Sequence, residues 1–197
     1  MPNDQKNTLG SSLAFSLYEA AFAAGVLAFA PYALIKMLYL PAYRAGLEQR
    51  LSLQIPRAAS AAESPVWIHA VSLGEIKSVA PFVHTLKQQF ARPMYITTTT
   101  LTGYQMAGRL FSNTARCAYF PLDFSGIVRR ALSQVHPRLV VLFETEIWPN
   151  FIRSAASSGV PVVLINGRIS ESSLRWYRLL QPLMRYTFSS ISRFGMQ

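Results

Sequence analysis

A single cysteine in 197 residues, Cys117, excludes an internal disulfide and any thiolate-rich metal site. Histidine is nearly as scarce, and His69, His84 and His136 are scattered, without the close pairing of a zinc-binding helix. No metal and no cofactor is expected. Acidic residues are the next shortage: 9 Asp and Glu stand against 19 Lys and Arg, for a formal charge of +10. Such a chain calls for an anionic neighbour, whether nucleic acid, a membrane surface or a phosphorylated substrate. Also absent are the Gly-x-Gly-x-x-Gly fingerprint, the Gly-x-x-x-x-Gly-Lys-Ser/Thr loop and the Gly-x-Ser-x-Gly elbow. Nicotinamide-dependent, P-loop and serine-hydrolase chemistry thereby lose their support. Neither a fixed-period repeat nor a low-complexity tract is present.

What the chain has in excess is apolar surface, with 51% hydrophobic and only 14% charged residues. Much of it is local. Between Leu13 and Ile35 the ionisable side chains are Glu19 and two tyrosines, over a length that crosses a hydrocarbon core as a tilted helix. Residues 13–38 therefore read as a membrane anchor. The opening Pro-Asn-Asp-Gln-Lys lacks the basic start of a signal peptide, and the apolar run exceeds a typical h-region. Glu19 and Pro31 interrupt the run, so an interfacial helix competes with a single span, and the span is the expectation. Lys6 precedes the segment whereas Lys36, Arg44, Arg50 and Arg57 follow it, which places the tail, 1–12, on the far side and the folded domain in the cytoplasm. The anchor directs the positive charge to the membrane, and no nucleic-acid partner is expected.

Residues 39–65 read as a linker with a short helix at 43–51. From residue 66 short apolar runs at 66–71, 94–98, 116–120, 139–143 and 160–165 alternate with helical patterns at 75–90, 102–111, 125–135, 147–158 and 171–190. Runs rich in Val, Leu and Ile on both faces, separated by crossover helices, predict an α/β fold with a Rossmann-like parallel sheet covered on both sides. Cys117 falls within one of these strands, as a small apolar residue.

Ligands of such a sheet bind beyond the carboxyl ends of its strands. The strand-to-helix turns hold a large share of the polar residues. Glu75 opens a helix, and Ser72 three positions earlier completes a capping box, so spacing leaves a structural and a catalytic role equally open. The threonines of 97–102 fit an oxyanion or phosphate cradle, though for most of them a β-branched strand end with a helix cap is the preferred reading. Glu144 and Glu146 leave an apolar strand together. Trp148 is expected to pack. If Pro182 merely kinks the last helix, Arg175, Arg178 and Arg185 share a face opposite Trp176, Leu180 and Leu183, suited to an anionic ligand or lipid headgroups and equally to solvent.

Four of these turns, His-Ala-Val-Ser-Leu-Gly-Glu at 69–75, Thr-Thr-Thr-Thr-Leu-Thr-Gly at 97–103, Glu-Thr-Glu-Ile-Trp-Pro-Asn at 144–150 and Asn-Gly-Arg-Ile-Ser at 166–170, follow an apolar N-terminal helix in this order. In this the chain resembles the 3-deoxy-D-manno-octulosonic acid (Kdo) transferases of Gram-negative bacteria. Leu101 stands where a proline is usual, and Gly167 and Ser172 also differ from the commoner pattern. The resemblance implies a membrane-associated B-type glycosyltransferase of two Rossmann-like domains. Residues 66–197 would be its N-terminal, acceptor-binding domain, with the donor-binding domain missing from a chain that reads as an N-terminal fragment. It further implies transfer of Kdo from CMP-Kdo to the lipid A precursor at the cytoplasmic face of the inner membrane. Glu75 would be the general base and Glu144 a transition-state stabiliser. Ser72, Gly74, Thr100, Thr102, Gly103, Glu146, Asn166, Arg168 and Ser170 would contact substrate. An inverting displacement is the simplest course. The competing readings are an anchored acceptor-binding fragment without activity of its own and another B-type sugar transferase.

Overall fold

In the computed structural model, residues 3–39, 44, 46–55, 64–90 and 92–197 are described. The expected apolar runs form strands β1 (Val66–His69), β2 (Met94–Thr98), β3 (Ala115–Tyr119), β4 (Leu139–Phe143) and β5 (Val162–Gly167). A sixth, β6 (Arg193–Met196), pairs with β5. All pairings are parallel and the order is β3-β2-β1-β4-β5-β6, so the direction of winding reverses between β1 and β4. Every residue of β1 and β2 is buried, because helices cover both faces. One face packs Trp67, Tyr95, Phe151, Ile152 and Leu164, and the other packs Ile68, Ile76, Val79, Ile96 and Phe111.

The helices are α1 (Asn3–Tyr39), α2 (Leu47–Arg50), α3 (Leu73–Gln89), α4 (Leu101–Phe111), α5 (Ser125–Val135), α6 (Pro149–Ser157), α7 (Glu171–Leu179) and α8 (Gln181–Ser189). In α5 the buried Val128, Ala131, Leu132 and Val135 recur at one helical face. Full burial of a valine or leucine side chain contributes about 1.5–3 kcal/mol, which holds α5 to the sheet. The helix stops where His136 turns left-handed at φ 48° and its N–H donates to the Leu132 carbonyl, just before Pro137.

The last helix departs from expectation. Two helices replace the single kinked one, with the break at Leu180 and Pro182 in the first turn of α8, where a missing N–H is harmless. Trp176 and Leu180 are consequently exposed, at 64% and 45%, and only Leu183 of the expected apolar face is buried. Cys117 is half-buried on β3, and burial pushes its thiol up to about 11.

Helix α1 is tied to the sheet domain along its first half. Phe15 is buried, meets the Tyr186 ring edge-on at 5.4 Å, and lies under the Arg153 guanidinium at 4.3 Å. The Tyr18 hydroxyl donates to Asp123 Oδ2 at 2.8 Å. Glu19 Oε1 accepts from both the N–H and the hydroxyl of Ser125 at 2.9 Å. Because Phe124, the N-cap of α5, has no capping side chain, Glu19 caps that helix from a distant part of the sequence. Phe22 packs edge-on against Phe124 at 5.0 Å.

Residues 46–55 are also joined to the domain. The Tyr119 N–H donates to Gln49 Oε1 at 2.9 Å, and Arg50 Nη2 donates to the Thr99 carbonyl at 2.7 Å. The Leu122 N–H donates to the Arg50 carbonyl at 2.8 Å, and Gln134 Nε2 donates to the Ser52 carbonyl at 3.1 Å.

Candidate active site

The chain leaves β1 and turns into α3 through Val71 and Ser72. Ser72 Oγ accepts from the Glu75 N–H at 3.3 Å, while Glu75 Oε2 accepts from the Val71 N–H at 2.8 Å. Glu75 is thus part of a helix cap, and its Oε1 has no hydrogen-bond partner among the described residues. The Val71 carbonyl is the hub of the neighbouring turn. It accepts from Thr98 Oγ1 at 2.6 Å, Thr100 Oγ1 at 3.2 Å and the N–H groups of Thr99 and Thr100 at 3.3 and 3.2 Å. Thr100 Oγ1 also accepts from the Gly103 N–H at 3.1 Å, starting α4. A Cβ at Gly103 would run into Thr98 Oγ1, Thr100 Oγ1 and the Val71 carbonyl, so only glycine lets α4 approach this closely.

The next two strand ends carry the acids. Glu144 and Asn166, at the ends of β4 and β5, are both left-handed, with φ 62° and 57°. For a residue other than glycine this conformation costs on the order of 1–3 kcal/mol and persists only where the surroundings impose it. Here the Glu144 N–H donates to the Ile165 carbonyl at 2.9 Å, and Thr145 Oγ1 is joined to both the carbonyl and the N–H of Arg168. The two turns are therefore held as one unit.

Burial raises the Glu144 carboxyl and the charge of Glu75 raises it further, while Arg168 opposes both. Glu146 is pushed up to about 7, first by burial and then by Glu75 and Glu144. The Trp148 indole N–H is buried without a hydrogen bond of ordinary geometry, yet lies near enough to Glu146 to pull it partway down. Trp148 itself packs on Phe120, with ring centroids 5.5 Å apart. After it, Pro149 opens α6, whose Asn150 and Phe151 N–H groups donate to the buried Asp123 carboxylate at 3.0 and 2.8 Å. Burial pushes Asp123 up to about 7 against these bonds.

The expected site residues thus occupy the carboxyl ends of β2, β1, β4 and β5, four adjacent strands, with the winding reversal between Glu75 and Glu144. Glu75, Glu144 and Glu146 are brought into electrostatic contact. Ser72, Thr100 and Ser170 are N-caps of α3, α4 and α7, so each accepts from its own helix. Gly74 and Thr102 are exposed in the first turns of α3 and α4, and Arg168 is exposed beside Glu144. His69 is fully buried, donates through Nδ1 to the Thr97 carbonyl at 3.1 Å and is pushed down to about 3, which keeps it neutral. Among the described residues no group of three His, Cys, Asp or Glu has the geometry to hold a metal ion.

Residue-level reading missed two features. The Val71 carbonyl is a backbone group with no sequence signal. Asp123 had one, an acid between Leu122 and Phe124 in an apolar turn. Cavities of about 330 Å³ beside Arg92 and Arg116 and about 560 Å³ beside Arg44 are lined by none of Glu75, Glu144 and Glu146.

Residues 45–197 match the family model described as 3-deoxy-D-manno-octulosonic-acid transferase (kdotransferase). The chain belongs to the Kdo transferase family. Similar curated relatives bear the name 3-deoxy-D-manno-octulosonic acid transferase. That of Bordetella pertussis is 38% identical over 142 residues, covering 70% of this chain and 33% of its own length. That of Chlamydia pneumoniae is 34% identical over 170 residues, covering 85% of this chain and 38% of its own length. That of Haemophilus influenzae is 30% identical over 158 residues, covering 80% of this chain and 37% of its own length. The chain spans between a third and two-fifths of these Kdo transferases. All of α1 precedes the family match.

Proposed function

We propose that the whole protein of which these residues form part transfers Kdo from CMP-Kdo to the lipid A precursor, an acylated glucosamine disaccharide bisphosphate, at the cytoplasmic face of the inner membrane. The observation that carries this reading is the meeting of Glu75, Glu144 and Glu146 at the winding reversal of the sheet in a Kdo transferase chain. A sugar hydroxyl is a weak nucleophile at neutral pH, so a carboxylate within hydrogen-bond reach must take its proton as the new bond forms. Glu75 is that base, through its unbonded Oε1, while Oε2 stays on the Val71 N–H and fixes the carboxylate plane. As the acceptor oxygen bonds to the anomeric carbon, the bond from that carbon to the CMP phosphate breaks and CMP leaves with the electron pair. CMP needs no acid. Positive charge grows at the anomeric carbon, and Glu144 faces it. A single displacement of this kind inverts the anomeric configuration. Ser72, Gly74, Thr100, Thr102, Gly103, Glu146, Asn166, Arg168 and Ser170 line the acceptor side, and a second domain supplies most of the CMP-Kdo site.

The test is a chimera in which residues 1–197 replace the matching part of the Bordetella pertussis relative, assayed for Kdo transfer. Glu75→Gln should leave the melting temperature within a degree or two and lower turnover by about 10²–10⁴. Turnover near that of the unsubstituted chimera would reduce Glu75 to a helix cap. Donor screening with several nucleotide sugars separates this reading from another B-type transferase.

A further inference from the structure

We infer that α1 does not cross the bilayer but inserts into one leaflet, with its first half clamped to the sheet domain and its apolar second half among the lipids on the domain's own side. The inference rests on the membrane association proposed above and changes its geometry.

The start of the apolar run is not available for a span. Phe15, Tyr18, Glu19 and Phe22 all lie inside the candidate span of 12–39, and all four are engaged by Tyr186, Arg153, Asp123, Ser125 and Phe124 of the sheet domain. Glu19, the one acid in that segment, has its carboxylate on the first turn of α5. Beyond Phe22 and its neighbour, residues 24–39 remain, which at 1.5 Å per residue make about 24 Å of helix, short of the roughly 30 Å hydrocarbon core.

The far end of α1 returns to the same domain. Arg44 donates to the Met37 carbonyl at 2.6 Å and to that of Leu38 at 3.4 Å, capping the end of the helix. Met37 and Arg44 line one cavity with Gly46, Leu47 and Gln49. Gly46 lies so close to the Tyr119 ring that a Cβ would overlap it, and Gln49 and Arg50 are bonded to β3 and to the turn after β2. Both ends of the apolar stretch are therefore fixed to one folded body, which cannot stand on both sides of a bilayer.

The stretch between these ends is made for lipid. Leu27, Phe29, Leu34, Ile35 and Leu38 are exposed at 56–72%, and at about 3.6 residues per turn Leu27, Leu34 and Leu38 share one face, with Ile35 beside it. Tyr32 and Tyr39, both exposed, suit the headgroup level, and the Lys36 ammonium sits over the Tyr32 ring at 5.5 Å. With Lys36 and Arg44 at its end and +10 overall, the chain fits a leaflet containing anionic phospholipid.

Topology decides the matter. In a Cys117→Ala background, Ser12→Cys, ahead of the clamp, and Ser133→Cys, on the exposed side of α5, are labelled with a membrane-impermeant maleimide in sealed vesicles from producing cells. Insertion into one leaflet predicts labelling of both from the same side, within about a factor of two of each other. A span places position 12 opposite the domain, so labelling of Ser12→Cys that requires detergent while Ser133→Cys reacts without it overturns the inference. The lipid partner is tested with the purified chain on phosphatidylethanolamine–phosphatidylglycerol vesicles. The chain should float with them, and Leu27→Glu with Leu34→Glu should lower the bound fraction more than about tenfold without changing the melting temperature. A wild-type chain that does not float, or that sediments as a dimer sensitive to the same two substitutions, assigns this face to a second copy and overturns the lipid assignment. Neither readout involves Kdo transfer, so each proposal can fail without the other.

Discussion

At Glu75 one carboxylate oxygen holds a backbone N–H while its charge raises two other acids, Glu144 and Glu146. This crowding has a consequence for stability. The folded pKa of Glu146, about 7, lies above its ordinary value, so the folded state binds that proton more tightly than the unfolded chain does. The associated stability is fully present below the ordinary carboxylate range and is lost as pH rises through 7; Glu144 and Asp123 shift in the same direction. The melting temperature should therefore fall between pH 5 and pH 8, and Glu146→Gln should fall less and be the more stable at pH 8. Calorimetry across that range checks it, and an unchanged slope in the variant would show that Glu146 ionises without penalty. Gly103 makes a second residue-scale prediction. Gly103→Ala must push Thr98 Oγ1 and Thr100 Oγ1 off the Val71 carbonyl, at a cost of about 1–3 kcal/mol as for overpacking elsewhere. The same change at Gly126, where a Cβ meets nothing within 4 Å, should cost nothing or stabilise α5 slightly.

At the scale of elements, α5 is capped by α1. Loss of an N-cap acceptor costs about 0.5–2 kcal/mol, so Glu19→Ala should destabilise the sheet domain by that amount although it lies in another element. Tyr18→Phe removes a hydrogen bond to a buried carboxyl and should cost about 1.5–3 kcal/mol. Thermal melting in detergent measures both, and a change below a few tenths would make the α1 contact dispensable. These partnerships mark the limit of what the sequence discloses. The strands were legible because burial on both faces leaves apolar runs, and α5 because its buried positions repeat at the helical period. The acid-bearing turns were legible because a parallel sheet places polar residues at one edge. The partners of Tyr18 and Glu19 lie 105 and 106 positions away, and no local pattern encodes them. The break at Leu180 was hidden for a related reason. Pro182 reads as a kink within a helix or as the first turn of a new one, and only the packing of Leu183, Met184 and Thr187 selects the second.

For the whole molecule, α1 has two parts with opposite relations to the fold. Its first half contributes the buried Phe15, the Tyr18 donor and the Glu19 cap, each stabilising by about 0.5–3 kcal/mol. Its second half contributes exposed apolar surface that the sheet does not need. Removing residues 1–39 to make a detergent-free domain should therefore unfold or strongly destabilise it. Phe124 and Asp123 would lose their cover, and α5 its cap. Substituting only the exposed positions, Leu27→Gln, Leu34→Gln and Leu38→Gln together, should instead leave the melting temperature within about two degrees, as for surface changes that touch no buried group, while reducing the need for detergent. Comparing the two chains by thermal melting and light scattering separates a helix that belongs to the domain from one merely attached to it. Equal stability of the deletion and the triple variant would mean that the contacts of Phe15, Tyr18 and Glu19 contribute nothing to the fold.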